Sequence, residues 1–347
     1  MLDQLDRRPR FALAHRPTPL APMARLRSLL LSEGCACPPL LIKRDDCTGL
    51  AGGGNKARKL EFLVGEALAQ DCDVLVTTGA LQSNHARQTA AAAAAAGLGA
   101  CLVLRDAVDY PGAAYRTSGN LLLDDILGAE VELAPRSADM TAHIDRTMER
   151  LTAAGRRPYF APAGGSSACG ALGYVAGYLE LAGQLDERGG AEETLIIHAS
   201  SSGGTQAGLL VAHAGLGGGP KVLGVNVYRK DAEAMTAEIL ALAARTAGLL
   251  ASPAPEPAEV RLVNDWLGDG YGAPTAEMRE AVALVARTEG ILLDPVYAGK
   301  AMAGLLGLVR RGALADVGQV VFLHTGGMPA LFAYAEEFAA SDGAGRG

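Results

Sequence analysis

Short apolar runs alternate with longer segments of helical apolar spacing along almost the whole chain. In the first half, each run is followed by a polar or glycine-containing turn and then by a helical pattern. The runs occupy residues 74–77, 101–104, 130–133 and 159–161. This alternation predicts a parallel sheet with helices on both faces, and therefore the α/β class.

The alternation resumes in the second half and predicts a second sheet. Its apolar runs occupy residues 194–199, 222–227, 291–293 and 320–323. A cluster of glycine and serine at residues 163–167 lies between the two sets of runs and suits a segment where the chain crosses from one sheet to the other. The 347 residues exceed the length of about 250 to 300 at which one hydrophobic core stops growing. Two doubly wound α/β domains are therefore expected.

Composition and charge narrow the function classes. The net charge of −7 argues against a nucleic-acid partner, which normally needs a clustered basic face. No apolar run approaches the ~20 residues that span a bilayer, and no apolar stretch follows the N-terminal arginines as in a secretory signal. We expect a cytoplasmic protein that acts on a small molecule. The six cysteines lack paired spacing, so buried thiols are expected rather than disulfides, and no metal site is predicted.

The first candidate for chemistry is a lysine that follows three glycines. Residues 52–54 are glycines, and Asn55 and Lys56 come next. Residues 40–46, an apolar run that ends in charged residues, precede them and helical spacing follows at 60–63, so the local prediction is strand, loop and helix. Glycines allow positive φ and a close approach to a flat ligand. Lys56 is the candidate covalent anchor of a cofactor, and a flexible turn with a solvated lysine is the alternative.

Two further segments have the composition of anion-binding helix starts. In segment 78–85, Ser83 and Asn84 either cap the following helix or, with its free N–H groups, hold a substrate carboxylate. Segment 200–205 follows a predicted strand with serine, glycine and threonine, which suits a phosphate cradle; a plain turn is the alternative. No Walker lysine and no dinucleotide fingerprint is found there.

The last two candidate segments lie near the C-terminus. Segment 290–300 contains Tyr297. A tyrosine at the end of a strand serves either as an acid, a base or a stacking partner, or as a structural residue whose buried hydroxyl is hydrogen-bonded. Segment 324–327 follows a predicted strand, and its Thr325 either donates to a ring nitrogen or caps the last helix. A lysine anchor, a phosphate cradle, a carboxylate-binding helix start and a ring-nitrogen partner together describe a site for pyridoxal 5′-phosphate.

These segments also carry a resemblance to a known family. The chain resembles the fold-type II pyridoxal-phosphate enzymes related to the β subunit of tryptophan synthase. Within them it is similar to the branch of D-cysteine desulfhydrase, L-cysteate sulfo-lyase and 1-aminocyclopropane-1-carboxylate deaminase. The resemblance extends from about Phe11 to Tyr334, and its most specific parts are segments 43–46, 53–56, 82–85, 170–174, 203–205, 293–297 and 324–327. It implies a large domain (1–52 and 166–347) and a small domain (53–165), with the cofactor in the cleft between them.

The resemblance also implies roles for the cofactor-binding residues. Lys56 would hold the cofactor covalently and, once released by substrate, act as the base at Cα. Asn84 would donate to the phenolic oxygen, and Thr325 would face the pyridine nitrogen. A neutral hydroxyl there favours elimination over racemisation or transamination. The phosphate would be bound by Ser201, Ser202, Gly203, Gly204 and Thr205, with Lys59.

On the substrate side, the resemblance implies a second group of residues. The substrate carboxylate would be held by Gln82, Ser83, Asn84 and His85. Tyr271 and Tyr297 would form an aromatic pair that assists proton transfer, so the predicted catalytic residues are Lys56, Ser83, Tyr271 and Tyr297. The sequence does not identify a cationic pocket for a substrate that carries a sulfonate. The arginines considered are each compatible with exposure to solvent: Arg44, Arg58, Arg87 and Arg116.

The implied reaction is α,β-elimination from a cysteine-like amino acid. L-cysteate, giving pyruvate, ammonia and sulfite, is the main prediction, because residues 47–51 look closer to the sulfo-lyase. D-cysteine, giving sulfide instead, is the alternative. Ala298 stands where the ring-opening deaminase has a glutamate, which counts against that activity. A cofactor carrier or regulator without turnover is the non-enzyme alternative, and a homodimer is expected.

Overall fold

The computed structural model describes residues 1–190 and 193–339, which form two sheets and the helices that cover them. The strands are β1 (Leu20–Pro22), β2 (Leu40–Arg44), β3 (Val74–Ala80), β4 (Gly99–Arg105), β5 (Glu130–Ala134), β6 (Pro158–Ala161), β7 (Thr194–Ser200), β8 (Lys221–Asn226), β9 (Leu262–Val263) and β10 (Gln319–His324). The helices are α1 (Leu2–Asp6), α2 (Ala24–Ser32), α3 (Lys56–Ala69), α4 (Asn84–Ala96), α5 (Gly119–Ile126), α6 (Met140–Ala153), α7 (Ala168–Asp186), α8 (Gly204–Leu216), α9 (Ala232–Leu249), α10 (Ala276–Glu289), α11 (Ala298–Arg310) and α12 (Ala330–Ala333).

The strands form a larger and a smaller sheet. The larger sheet has the order β1-β2-β10-β7-β8-β9 and is parallel except for β1, which runs antiparallel to β2. The smaller sheet has the order β5-β4-β3-β6 and is entirely parallel. Parallel sheets need cover on both faces, which explains why their strands read as continuous apolar runs. The predicted α/β class with two sheets is confirmed.

Successive residues of one strand face different cores. In β7, Leu195 and Ile197 pack in one apolar cluster and Ile196 packs in another on the opposite face. In β3, Leu75 and Val76 divide between two further clusters in the same way. The alternation follows from the two-residue period of a strand. Both sheets are therefore buried on both faces.

Seven of the eight runs that defined the two predicted sheets are strands, and one is not. Residues 291–293 form no ladder pairs. Leu293 is fully buried while Leu292 is 51% exposed, so the segment has the alternation of a strand without a neighbour to pair with. The short β9 pairs with β8 instead. The prediction of a strand at 291–293 was wrong because apolar spacing does not specify hydrogen-bond partners.

The two sheets take their strands from different parts of the chain. The larger sheet uses residues 20–44 and 194–324, and the smaller sheet uses residues 74–161. This division accords with our domain boundaries, which stay a proposal. Residues 191–192 and 340–347 of the predicted large domain lie outside the described residues.

A buried ion-pair network joins β2, α3 and α7. The Arg58 guanidinium donates to Asp45 at 2.8 Å and to Glu180 at 2.8 Å, and the Lys43 ammonium also pairs with Glu180. Buried charges need such partners because leaving one unpaired is strongly destabilising. The network therefore fixes the first turn of α3, where Lys56 lies.

Other predictions concern cysteines and membrane spans. All six cysteines are free thiols; Cys37 and Cys101 are buried, Cys35, Cys72 and Cys169 are partly buried, and Cys47 is exposed, so full burial holds for two of them. Among the described residues, no helix is both long enough and apolar enough to cross a membrane.

Candidate active site

A cavity of about 580 Å³ lies where the two sheets face each other. Its wall includes residues at the carboxyl ends of β3, β4 and β7 and at the N-terminal ends of α3, α4 and α8. Ligands of open α/β sheets bind outside the carboxyl ends of strands. The predicted site segments converge on this cavity.

The glycine loop before Lys56 has a backbone that only glycine accommodates well. Gly52, Gly53 and Gly54 have φ of 86°, 75° and 131°. A Cβ on Gly53 would lie 1.8 Å from the carbonyl oxygen of Asp46, so this loop packs directly on backbone. Positive φ carries little penalty for glycine. The loop thereby delivers Lys56 as the first residue of α3.

Lys56 faces the cavity with an amine that is easily deprotonated. Its Nζ donates to Asn55 Oδ1 at 3.2 Å. Burial lowers the pKa of Lys56 to about 8, with Asp294 acting to raise it and Arg87 to lower it. A lysine with such a pKa has an appreciable neutral fraction near neutral pH, as a nucleophile or base requires.

A polar cradle surrounds the N-terminal end of α8. The Gly204 N–H donates to Ser166 Oγ at 3.2 Å, and Ser166 Oγ donates to Ser202 Oγ at 2.8 Å. The Lys59 Nζ donates to the Gly164 carbonyl at 3.0 Å. A Cβ on Gly204 would lie 2.9 Å from Lys59 Nζ and 2.6 Å from Ser166 Oγ. Free N–H groups, hydroxyls and a nearby cation suit a phosphate.

The N-terminal end of α4 forms the opposite wall. Ser83 Oγ accepts from the Ala86 N–H at 3.1 Å, so Ser83 is the helix cap. Asn84 and His85 follow it on the cavity wall. Burial, then the charges of Lys56 and Lys59, hold the pKa of His85 well below its usual range. His85 is therefore a neutral hydrogen-bonding group at neutral pH.

Gln82 is directed away from this wall. Its Nε2 donates to the carbonyls of Tyr115 and Ser118 at 2.7 and 2.9 Å, and its Oε1 accepts from the Asn120 N–H at 2.8 Å. All polar atoms of the side chain are thus engaged with the segment before α5. The side chain supports the wall, and its predicted contact with substrate finds no support in this geometry.

Two tyrosines form the aromatic side of the cavity. The Tyr271 and Tyr297 hydroxyls share a hydrogen bond, and their ring centroids are 5.8 Å apart. Burial raises the pKa of Tyr271 to about 12 and holds that of Tyr297 well above its usual range. Both hydroxyls are therefore protonated at neutral pH, and the pair has a hydrogen available to donate.

Thr325 follows β10 and lies beside the glycine loop. Its carbonyl accepts from the Asn55 N–H at 3.0 Å, and the Asn55 side chain donates to Thr205 Oγ1 at 3.2 Å. Asn55 thus links the ends of β10 and α8 to the Lys56 loop. The helix after Thr325 begins at Ala330 with Pro329 as its cap, so Thr325 does not cap it.

The structure brings most of the predicted residues onto one cavity. The predicted residues on its wall are Lys56, Ser83, Asn84, His85, Ser201, Ser202, Gly203, Thr205, Tyr271, Tyr297 and Thr325. Lys59 and Gly204 belong to the cradle but are not among the wall residues, and Gln82 lies behind the α4 wall. Wall residues that the sequence analysis missed include Asn55, Arg105, Ser166, His198 and Tyr228. For Arg105 and His198, a position at the end of a predicted strand was the available signal.

Comparison with known proteins decides the family. The family model described as "Pyridoxal-phosphate dependent enzyme" matches residues 11–326. The chain belongs to this family. Pyridoxal 5′-phosphate is its cofactor, and the predicted recognition is confirmed.

Several relatives of this pyridoxal-phosphate dependent enzyme extend over nearly its whole length. It is 45% identical to the D-cysteine desulfhydrase of Salmonella newport (strain SL254), over 96% of this chain and 98% of that protein. The D-cysteine desulfhydrase of Salmonella typhi is 44% identical over the same shares. The solved structure of an ACC deaminase homologue has a TM-score of 0.85 at 36% identity, covering 97% of both chains.

A more distant structure shows the fold alone. A pyridoxal 5′-phosphate-dependent aspartate racemase superposes with a TM-score of 0.62 at 19% identity, over 89% of this chain and 90% of that one. Together with the closer relatives, it places the chain in fold type II. The chain is a lyase of the cysteine desulfhydrase and ACC deaminase type.

The cavity residues fit the cofactor in this enzyme. Because Gly204 has no Cβ, Ser166 Oγ and Lys59 Nζ lie close to the bare start of α8, at 2.6 and 2.9 Å from where a Cβ would be, and such groups can bind a phosphate. Lys56 supplies an amine of lowered pKa for the covalent link. Asn84 and Thr325 supply polar groups on the cavity wall for the ring substituents. The donor set therefore matches an anionic phosphate, an aldehyde and a polar heteroaromatic ring.

Proposed function

We propose that this chain catalyses α,β-elimination from D-cysteine, giving pyruvate, ammonia and hydrogen sulfide. The observation that carries the proposal is 45% identity to a D-cysteine desulfhydrase over 96% of the chain. L-cysteate was the main sequence prediction, and the relatives support the alternative better. A carrier or regulator without turnover finds no support, because the family consists of enzymes.

The reaction needs removal of a proton from Cα and departure of the β-substituent. When bound, the cofactor withdraws electrons from Cα, which makes that proton removable. Lys56 takes the proton, since burial leaves part of its amine neutral near pH 7. The free N–H groups at the start of α4, with Ser83 and Asn84, bind the substrate carboxylate.

Tyr271 and Tyr297 act as proton donors in this proposal. Their pKa values are raised by burial, so neither serves as an anionic base at neutral pH. The hydrogen not used between the two hydroxyls is directed to the departing sulfur. Protonation stabilises the leaving group as it separates from the β-carbon.

Ring opening of 1-aminocyclopropane-1-carboxylate is not part of the proposal. Ala298, the first residue of α11, is buried and has no ionisable group. It therefore supplies no acid or base next to Tyr297. Homodimer formation and a cytoplasmic location stay predictions.

The test measures pyruvate release by purified, cofactor-loaded enzyme. D-cysteine, L-cysteine, L-cysteate and 1-aminocyclopropane-1-carboxylate are supplied in parallel, and sulfide and sulfite are assayed separately. We expect sulfide and pyruvate from D-cysteine and no product from the cyclopropane. Lys56→Ala is the control and should lose the visible cofactor absorbance near about 400 to 430 nm along with the activity. Pyruvate release by Lys56→Ala at the same rate as by the wild type would contradict the proposal.

A further inference from the structure

Strand β7 carries a buried histidine on the cavity wall that the proposed reaction does not use. His198 lines the cavity two residues before Ser200. Its Nδ1 lies 2.9 Å from the carbonyl oxygen of Ala199. A carbonyl oxygen only accepts hydrogen bonds, so Nδ1 carries the hydrogen of the neutral ring. Nε2 is therefore left with a lone pair and no hydrogen.

The Nε2 atom of His198 lacks a hydrogen-bond partner. Within the described part of the chain no group bonds to it, although the atom is buried. Buried polar atoms in native proteins are nearly always paired, and an exception points to an ion, a water or another group that completes the site. Because the imidazole lines the cavity, a group bound in the cavity can supply the missing partner.

The imidazole lies on the phosphate side of the cavity. Alternate residues of a strand face the same side of a sheet. Ile196, two residues before His198, packs in the apolar cluster that α7, α8 and α9 form. His198 therefore faces α8, whose N-terminal end forms the phosphate cradle. Lys59, the lysine of that cradle, is also the charged side chain that acts on the imidazole.

The protein around His198 favours the neutral ring. Burial lowers the pKa of His198 to about 4; the backbone hydrogen bond acts to raise it and the charge of Lys59 to lower it. Its register neighbours on β8 and β10, Gly224 and Leu323, carry no charge. On α7, Tyr174 is protonated, because burial holds its pKa well above the usual range. None of these groups is an anion, so a proton on Nε2 needs an anionic partner from the cavity.

We infer that His198 is a ligand of the cofactor phosphate and takes up a proton when the phosphate binds. The proton comes from solvent and is added to Nε2, which then donates a hydrogen bond to a phosphate oxygen; no covalent bond of the cofactor changes. A dianion beside the ring favours the charged imidazolium and offsets its desolvation. Such charge-assisted hydrogen bonds are about twice as strong as neutral ones. The inference depends on the cofactor of the family and not on the substrate that is turned over.

The experiment measures binding without turnover. Apoenzyme is titrated calorimetrically at pH 7 with 4′-deoxypyridoxine 5′-phosphate, which has the ring and the phosphate but no aldehyde, and with 4′-deoxypyridoxine, which lacks the phosphate. Repeating the titration in buffers of different ionisation enthalpy gives the number of protons taken up. Wild type should take up about one proton more than His198→Gln on binding the phosphate compound.

Affinity gives a second readout. His198→Leu should bind the phosphate compound about 10- to 100-fold less tightly than wild type and the dephosphorylated compound equally well. His198→Gln keeps a hydrogen-bond donor and should lose less. His143→Gln is the matched control, because this histidine lies on α6, pairs with Glu132 and is not a cavity wall residue. It should change neither affinity nor proton uptake.

Three outcomes overturn the inference. The first is equal proton uptake by wild type and His198→Gln. The second is an equal loss of affinity for both compounds in His198→Leu, which would give the ring a packing role. The third is unchanged affinity in His198→Leu, which would leave Nε2 with an ordered water only. Thermal unfolding of each apoenzyme shows whether it is folded, and if His198→Leu is not, the proton uptake of His198→Gln decides.

Discussion

The side-chain amide of Asn120 donates to Asn84 Oδ1 at 2.9 Å, so it orients a residue of the cavity wall from behind. Asn120 Oδ1 in turn accepts from the Arg87 guanidinium at 2.9 Å. With its oxygen engaged, Asn84 directs its amide N–H groups towards Gly327 and the cavity. Asn120 is therefore a positioning residue for the proposed hydrogen bond to the cofactor ring.

Asn120→Asp tests this role. The carboxylate keeps an acceptor for Arg87 but has no hydrogen to give to Asn84, so Asn84 loses its orientation. We expect cofactor affinity to fall about tenfold, corresponding to about 1.4 kcal/mol, and the visible cofactor spectrum to shift. Affinity is measured by titration of apoenzyme and folding by thermal unfolding. A folded variant with unchanged affinity and spectrum would show that Asn120 has no such role.

Lys300 is expected to hold the loop of Tyr271. Its buried ammonium donates to the carbonyls of Leu267 and Gly270 at 2.7 and 2.9 Å, directly before Tyr271. Lys300→Met removes both bonds, so kcat should fall about tenfold while cofactor absorbance is retained. The double variant with Tyr271→Phe should lose less than the sum of the two single losses, because both changes act on one unit.

Lys221→Met is the matched control for Lys300, since this lysine is exposed on β8. It should leave kcat unchanged. If the losses in kcat caused by Lys300→Met and Tyr271→Phe are strictly additive, Lys300 does not act through the tyrosine pair.

Glu180 is expected to stabilise the fold in a pH-dependent way. Burial favours the neutral acid, but hydrogen bonds and charges from Arg58 and Lys43 outweigh it and lower the pKa of Glu180 to about 2. A depressed pKa gives stability that is present above the unfolded value of about 4.5 and lost as pH falls towards 2. Glu180→Gln should therefore lower the free energy of unfolding by about 3 kcal/mol at pH 7 and progressively less below pH 4.

Urea denaturation at pH 7, 4 and 3 measures this difference. Glu280→Gln is the control, because Glu280 is half exposed and its pair with Arg310 lies at the surface. Its effect should stay below about 1 kcal/mol at each pH. A Glu180→Gln effect that does not change with pH would mean that packing, rather than ionisation, accounts for it.

Gly204→Ala is expected to block the phosphate cradle. The added Cβ would meet Ser166 Oγ at 2.6 Å and Lys59 Nζ at 2.9 Å, so these groups must move out of the cradle. The dissociation constant for pyridoxal 5′-phosphate should rise about 10- to 100-fold. Gly183→Ala in α7 is the control, since among the described residues no atom outside its own stretch of helix lies within 4 Å of its Cβ position. It should raise stability by about 0.5 to 1 kcal/mol without changing cofactor affinity.

The pattern of apolar runs was a good guide to the strands for a physical reason. Strands of a parallel sheet are buried on both faces, so β3, β4 and β7 stand out as continuous apolar segments. The two- and three-residue strands β9 and β1 are too short to produce such a pattern. Residues 291–293 have the composition of a strand. Whether such a segment pairs with the sheet depends on which part of the chain lies next to the edge strand, and that position beside β8 belongs to β9.

The candidate site was less predictable than the fold. Lys56 was found because its glycines, its helix start and the preceding strand are all local in sequence. The orientation of Gln82 was not, because its polar atoms are engaged by residues 115–120. For Arg105 the only local signal was its place directly after a predicted strand, and Asn120 gave none, since its role depends on contacts with Asn84 and Arg87.

The sequence by itself determined the α/β class, the strand-end position of the site segments and the glycine loop that delivers Lys56. These features follow from spacing and backbone freedom, which are properties of neighbouring residues. Only the tertiary structure decided which arginines are neutralised and that Arg105 is left facing the cavity. Charge compensation acts between atoms a few ångströms apart in space, and in pairs such as Arg58 with Glu180 the residues that carry those atoms are distant in the chain.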